Sequence, residues 1–254
     1  MSINSKDNRI TGPRLIIDFG NTLTKAAIFE NGKVIALIKV PNLTTDNLDV
    51  LSSGMAISNA ITSSVIDIPE DVAAYLDSQF DHISLDHTTP VPITNLYKTP
   101  ETLGKDRLSM VVAAASIFSG KNCLVIGAGT CITYDFIDFK GQYHGGSISP
   151  GIKMRFRALH TFTGKLPLIS PLEDVEIIGS TTETSILSGV LIGSVAEIEA
   201  IIDKYQWLYD DLQVILSGGD MNYFKERLKN RIFAAENLVL TGLNVILDFN
   251  VRKQ

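Results

Sequence analysis

Cysteine is nearly absent from this chain. The two present, Cys123 and Cys131, each lie inside an apolar segment. Two such thiols make neither a disulfide framework nor a Cys-rich zinc site, and both read as buried packing in a reducing, cytoplasmic compartment. Histidine is scarce too: His82, His87, His144 and His160 share no metal-ligand spacing. No stretch is rich in Lys or Arg, and 22 basic against 28 acidic residues leave a net charge of −6. That balance does not fit a protein that holds nucleic acid by its phosphates. No uninterrupted apolar run approaches the ~18 residues of a membrane span, so none is expected. Met1 to Arg9 lacks the apolar core of a signal peptide, and Met1 to Gly12 reads as a frayed tail. Several catalytic signatures are missing as well: the Gly-x-Ser-x-Gly elbow, the Walker A loop and the Gly-x-Gly-x-x-Gly fingerprint.

What is present suffices for a core. Hydrophobic residues make up 45% of the 254. The length is awkward for one domain but suits two halves of ~110–130 residues. Arg14 opens a strand, Leu15-Ile16-Ile17, that runs into Asp18-Phe19-Gly20-Asn21-Thr22. Thr24 to Glu30 is a second strand, Asn31-Gly32 a type I′ turn, and Lys33 to Val40 a third strand. A weak helix (Leu43 to Leu51), a buried strand (Ala56 to Val65), a helix (Pro69 to Phe80) and a short strand (His82 to Leu85) follow. Val91 to Leu96 is a further candidate strand. Leu103 to Phe118 is a helix, apolar nearly all round after Arg107, so burial on several sides is expected.

The opening then recurs. Cys123 to Ile126 is a strand, Gly127-Ala128-Gly129-Thr130 a Gly-rich loop, Cys131 to Asp138 a strand, Lys140-Gly141 a turn and Tyr143 to Ser149 a strand. Gly20, Thr24, Ile28 and Gly32 return 109 residues later as Gly129, Thr133, Ile137 and Gly141. One unit occurring twice at one offset points to structural duplication. Helices at Gly151 to Phe162 and Thr181 to Tyr205, a strand at Leu212 to Leu216, and helices at Asn222 to Leu228 and Val239 to Phe249 complete the second copy. The expected fold is α/β: two similar halves, 13–118 and 119–254, each a mixed sheet with helices, flanking a cleft.

Four segments can carry chemistry, and each has a plainer reading. In Asp18-Phe19-Gly20-Asn21-Thr22 with Lys25, a tight loop of Gly and short polar residues can turn several N–H groups toward one phosphate. Asp18 can then hold Mg²⁺; the same residues also make an ordinary hairpin. Gly127-Ala128-Gly129-Thr130 occupies the same place in the second copy, or is a glycine turn. Ser217-Gly218-Gly219-Asp220 lets backbone approach a ligand at a helix N-terminus, or is a βα turn with Asp220 as cap. Asp106 and Arg107 open an otherwise apolar helix, where a general base and an anion-binding Arg belong, or where an acid simply caps the helix.

Taken in order, the motifs resemble the type III pantothenate kinases, a family within the acetate/sugar kinase and actin-like superfamily. The resemblance runs from about Arg14 to Asn250. It rests on Ile17-Asp18-Phe19-Gly20-Asn21-Thr22 with Lys25, Leu103-Gly104-Lys105-Asp106-Arg107, and Gly129-Thr130-Cys131-Ile132-Thr133-Tyr134-Asp135. It continues through Gly145-Gly146-Ser147-Ile148-Ser149-Pro150-Gly151, Lys165-Leu166-Pro167, Thr181 to Gly189 and Thr241-Gly242-Leu243.

The resemblance implies two ribonuclease-H-like, actin-like ATPase halves. It implies ATP-dependent phosphorylation of pantothenate at its primary hydroxyl to 4'-phosphopantothenate, the first step of coenzyme A synthesis. By the same likeness Asp106 is the proton acceptor. Tyr97, Gly104, Lys105, Arg107 and Thr181 line the pantothenate site. Asp18, Gly20, Asn21, Thr22, Lys25, Gly129 and Thr130 bind the ATP phosphates, with Mg²⁺ at Asp18. A homodimer is implied, with no nucleic-acid or membrane partner. The family also carries an Asp two residues before the Gly-Thr pair, which binds a monovalent cation such as K⁺ or NH₄⁺. Here that position is Gly127, so the cation requirement is open. Ser180 replaces the usual Asn before Thr181. The other readings are a non-catalytic regulator, or a kinase acting on a sugar or carboxylate.

Overall fold

The structure, a computed structural model, describes residues 12–172 and 174–252. The expected N-terminal tail therefore lies outside the described residues, apart from Gly12.

The first sheet is built on β1 (Arg14–Phe19), whose apolar run is buried on both faces, as a central strand requires. β2 (Thr24–Glu30) and β3 (Lys33–Val40) continue it as an antiparallel meander. The turn between them is the expected one: Asn31 and Gly32 have φ of 50° and 75°. α1 (Thr45–Ser52) starts at a reciprocal Thr44–Asn47 capping box. β4 (Asn59–Ser64), α2 (Glu70–Gln79) and β5 (Asp81–Ser84) follow, and β4 lies parallel to β1. The strand order is β3-β2-β1-β4-β5.

β6 is only Thr94–Asn95, much shorter than the run from Val91 to Leu96 suggested, and meets only the first two residues of its partner strand, Gln142 and Tyr143. α3 (Lys105–Ile117) is buried continuously from Arg107 to Ala114. The second sheet comprises β7 (Cys123–Ala128), β8 (Cys131–Ile137), β9 (Gln142–Pro150), β10 (Gln213–Ser217) and β11 (Phe233–Ala234). Its order is β11-β10-β7-β8-β9-β6. Without β6 this repeats the first sheet strand for strand, including the parallel β7–β10 and β10–β11 pairs.

The duplication is closer than the glycines alone indicated, and its alignment needs a correction. Asp18 pairs with Lys25, whereas Gly127 pairs with Thr133, so β8 is shifted by one residue against β2. The first hairpin of the second copy is one residue shorter, and the turn after β8 is one longer, spanning Asp138 to Gln142 rather than Glu30 to Lys33. The two changes cancel, which is why 109 holds at both ends. Each copy also carries a β-bulge at the same point, leaving out Ile35 in one and His144 in the other.

α4 (Ile152–Thr161) leads to a continuous helix, Thr182–Leu208, made of α5 (Thr182–Leu187), a π-turn at Ser188–Ile192 and α6 (Gly193–Leu208). By its length and an 18-residue stretch of mean hydropathy 1.8 this helix passes for a membrane span. Its apolar face is accounted for otherwise: Ile186, Leu187, Val190, Leu191, Ile198 and Ile202 pack into the core on the second sheet. Glu197, mid-helix, accepts from Tyr134 and Arg155. α7 is a short helix, Met221–Lys225, and α8 (Leu238–Val251) closes the chain.

Contacts divide the chain into two compact units that are not contiguous in sequence. One runs through Pro92 and adds Thr99–Ala113 and everything from Val239 on; the other is Ile93–Lys98 with Ala114–Leu238. The expected halves, 13–118 and 119–254, divide the sequence by its repeat, whereas these units divide it by contact. α8 joins the first unit for two physical reasons. Arg14 of β1 donates to Asn244 and Asp248. Gly242 lies against the backbone of Ser109, where a Cβ would come within 1.8 Å of the carbonyl oxygen.

Candidate active site

In the first unit, Asp18 is the penultimate residue of β1 and the next turn is residues 20–23. Gly20 keeps that turn tight, since a Cβ there would sit 2.9 Å from the Leu23 carbonyl oxygen. Asn21 and Thr22 are exposed at its tip. Across the sheet, Asp18 is flanked by Lys25 on β2 and Ser63 on β4. The Asp18 carboxyl is pushed up to about 6, first by burial and then by the Asp106 carboxylate, against the opposing pull of Lys25 and Ser63. Ser63 Oγ stands near enough to exert that pull yet falls short of hydrogen-bond geometry, and no other group satisfies it. Sequence reasoning missed Ser63. Its strand was legible, but only the sheet register puts it beside Asp18.

Asp106 reaches the same neighbourhood from the start of α3. Its Oδ1 accepts the Arg107 N–H at 2.8 Å, one of the otherwise unpaired donors of the first helical turn. Gly104 makes the room: a Cβ there would stand 2.6 Å from that oxygen. Arg107 is 5% exposed, while Lys105 is half-buried. The two acids, one near a strand end and one on a helix N-terminus, stand close enough for Asp106 to act on Asp18.

In the second unit the Gly-rich loop is smaller than expected. Gly127 and Ala128 are strand residues paired with β8 and β10, so only Gly129 and Thr130 make the turn, closed by Gly129 N–H to the Cys131 carbonyl at 2.9 Å. Three motif elements meet there. Gly151 donates to the Thr130 carbonyl at 3.1 Å, and a Cβ on it would lie 2.1 Å from the Gly129 oxygen. Gly218, with φ of 109°, packs on the Ala128 carbonyl, which also accepts the Asp220 N–H at 3.0 Å. Asp220 does not cap α7 with its side chain; burial pushes its pKa up, tempered by Lys153.

Tyr97 stacks on Tyr143 with centroids 6.1 Å apart and rings 6° from parallel, and its edge covers Gly145, whose φ is 94°. Tyr143 donates to the buried Asp135 at 2.6 Å. Arg155 ties the end of β9 down, donating to the Pro150 carbonyl and to Ser149 Oγ, both at 2.7 Å, and to Glu197. Thr181 is the exposed N-cap of α5, in a reciprocal box with Thr184. Asp18, Lys25, Gly104, Asp106 and Arg107 thus sit in one unit, and Tyr97, Gly129, Thr130 and Thr181 in the other.

The sequence profile of the type III pantothenate kinases matches residues 14–204. The chain belongs to the type III pantothenate kinase family. A type III pantothenate kinase of Phocaeicola vulgatus is 48% identical over 237 residues, covering 93% of this chain and 98% of the relative. One of Bacteroides fragilis is 47% identical over the same shares. This type III pantothenate kinase chain is therefore an ATP-dependent kinase for pantothenate, acting in coenzyme A biosynthesis, and the family's chemistry calls for a divalent metal. Among solved structures, a Campylobacter jejuni protein described as a Baf family transcriptional activator aligns with a TM-score of 0.59 at 20% identity, covering 94% of this chain and 99% of that one. A glucokinase from an Antarctic psychrotroph aligns with a TM-score of 0.52 at 12% identity, covering 93% and 98%. These two likenesses establish the actin-like ATPase fold.

Proposed function

We propose that Asp106 accepts the proton of the pantothenate primary hydroxyl while Asp18 holds the divalent metal, Mg²⁺, that accompanies ATP. The observation that supports this division is the proximity of the two carboxylates, with burial and Asp106 together raising Asp18. The donors fit a hard cation: the Asp18 carboxylate oxygens would hold it, with the unpartnered Ser63 hydroxyl beside them to orient the carboxylate. When bound, the metal supplies neutralising charge for the phosphates.

The remaining work is alignment. Backbone N–H groups of residues 20–23, with Asn21 and Thr22, contact phosphate oxygens, and Lys25 offsets their charge. Gly129 and Thr130 bind phosphate in the second unit. Gly104 keeps the Asp106 carboxylate where it is, and Arg107 and Lys105 hold the pantothenate carboxylate end. Tyr97 and Thr181 complete the substrate site. Asp106 orients the hydroxyl and takes its proton late, after the bond to phosphorus has begun to form.

The family's monovalent cation fits these residues poorly. Gly127 brings no carboxylate, and its cross-strand neighbours Thr133 and Ser217 offer only hydroxyls. We therefore propose that no K⁺ or NH₄⁺ is required at that position. A homodimer and a cytoplasmic setting are proposed on the resemblance. Exposed Ile148, Phe162, Ile177 and Ile178 in the second unit offer apolar surface to a second copy, and both cysteines are free thiols.

The test is ADP release across a panel of acceptors, with Asp106→Asn beside the unaltered enzyme. Release is expected with pantothenate and not with sugars, and the variant should lose at least ~10²-fold in rate with its fold intact. Wild-type turnover by Asp106→Asn would remove the base assignment.

A further inference from the structure

Adjacent strands of the first sheet align Lys25, Asp18 and Ser63 in one row. The second sheet repeats the row as Thr133, Gly127 and Ser217. Among the described residues, the buried hydroxyls left without a hydrogen-bond partner are Ser63 and Thr133, one in each row. Ser63 is 0% exposed, so bulk solvent does not reach it. A buried polar group without a partner destabilises the fold, and such groups are rare in native proteins. Its position beside the Asp18 carboxylate gives it a use. Ser217 keeps a hydroxyl at the matching place in the second sheet, but there the acid is replaced by Gly127, and no carboxylate needs orienting.

We propose that Ser63 is a positioning residue for the divalent metal: with metal and nucleotide bound, its hydroxyl donates to the Asp18 carboxylate and fixes which oxygen faces the phosphates. This rests on the reading of Asp18 as the metal holder. Partners that orient a metal ligand are worth about 10–100-fold in metal affinity. In the empty protein Ser63 already stands close enough to Asp18 to pull on its carboxyl without meeting hydrogen-bond geometry, so removing the hydroxyl should cost the empty fold little.

The experiment compares the full-length enzyme with Ser63→Ala and Asp18→Asn by three measurements. These are Mn²⁺ binding in the presence of a non-hydrolysable ATP analogue, followed by electron paramagnetic resonance; kinase rate against Mg²⁺; and thermal melting without ligands. For Ser63→Ala, metal affinity should fall about 10-fold or more. The rate at saturating Mg²⁺ should fall less than that affinity, and the ligand-free melting temperature should be no lower than wild type. Unchanged metal affinity in Ser63→Ala, with or without a lower melting temperature, overturns the proposal and leaves Ser63 a packing residue. Asp18→Asn separates the two levels. If it abolishes Mn²⁺ binding while Ser63→Ala binds normally, only the role of Ser63 falls. If Asp18→Asn itself binds normally, the metal reading falls and takes Ser63 with it.

Discussion

Gly104 and Asp106 meet at a contact that a single methyl group would disturb. A Cβ at residue 104 would stand 2.6 Å from Asp106 Oδ1, and the atom in its way is the tip of a side chain rather than backbone. Gly104→Ala can therefore be accommodated by a rotation of Asp106, at little cost to the fold. The proposed base is what moves, and misplacement by about 1 Å can lower a rate ~10²-fold. We expect Gly104→Ala to lose activity on that order while its chemical denaturation midpoint shifts little. A normal rate would show that Asp106 tolerates displacement. At this scale much of the candidate site was legible: Asp18, Gly20, Asp106 and Arg107 stand out because charge and glycine interrupt apolar segments. Ser63 was not legible, since a serine near the end of a strand carries no local signal. Asp220 was legible as a residue but not in its part, because capping depends on side-chain geometry that the chain order does not express.

Among the elements, α8 shows how tightly one motif glycine can be committed. Gly242 faces the backbone of Ser109 on α3, with the nearest carbonyl oxygen 1.8 Å from where a Cβ would be. Here the obstacle is main chain, and the two helices must separate. Gly242→Ala should cost about 3 kcal/mol or more in urea unfolding, towards the upper end for overpacked sites. Rates per folded molecule should fall as well, since α3 carries Asp106. The Thr241-Gly242-Leu243 motif is thus explained by packing, with no ligand contact needed. Most elements were legible from periodicity: the apolar runs of β1 and β7 and the Asn31-Gly32 turn are local signals. The elements that escaped were the bridge strands. β11 holds two residues paired with β10, and β6 is two residues paired only with the first two residues of β9.

For the whole molecule, duplication followed by divergence is the main result. The two sheets share strand order, parallel pairs and bulge position, yet the row at the strand ends differs: Lys25, Asp18 and Ser63 in one, Thr133, Gly127 and Ser217 in the other. Charge is kept in one row, so cation chemistry should be confined to it. Replacing K⁺ by Na⁺ or a bulky organic cation at constant ionic strength should change the initial rate by less than about twofold, since hard cations need oxygen-rich ligand sets. A steep K⁺ dependence would mean that hydroxyls and carbonyls around Gly127 hold the ion unaided. The sequence by itself determined the order and type of the long elements, the two copies and the family, because each rests on short-range periodicity or on motif residues in order. Tertiary structure alone decided the one-residue shift between the copies, the capture of α8 by the first unit and the placing of Ser63 beside Asp18. Those depend on register and on backbone-to-backbone approach, distances between residues far apart in the chain that no local pattern encodes.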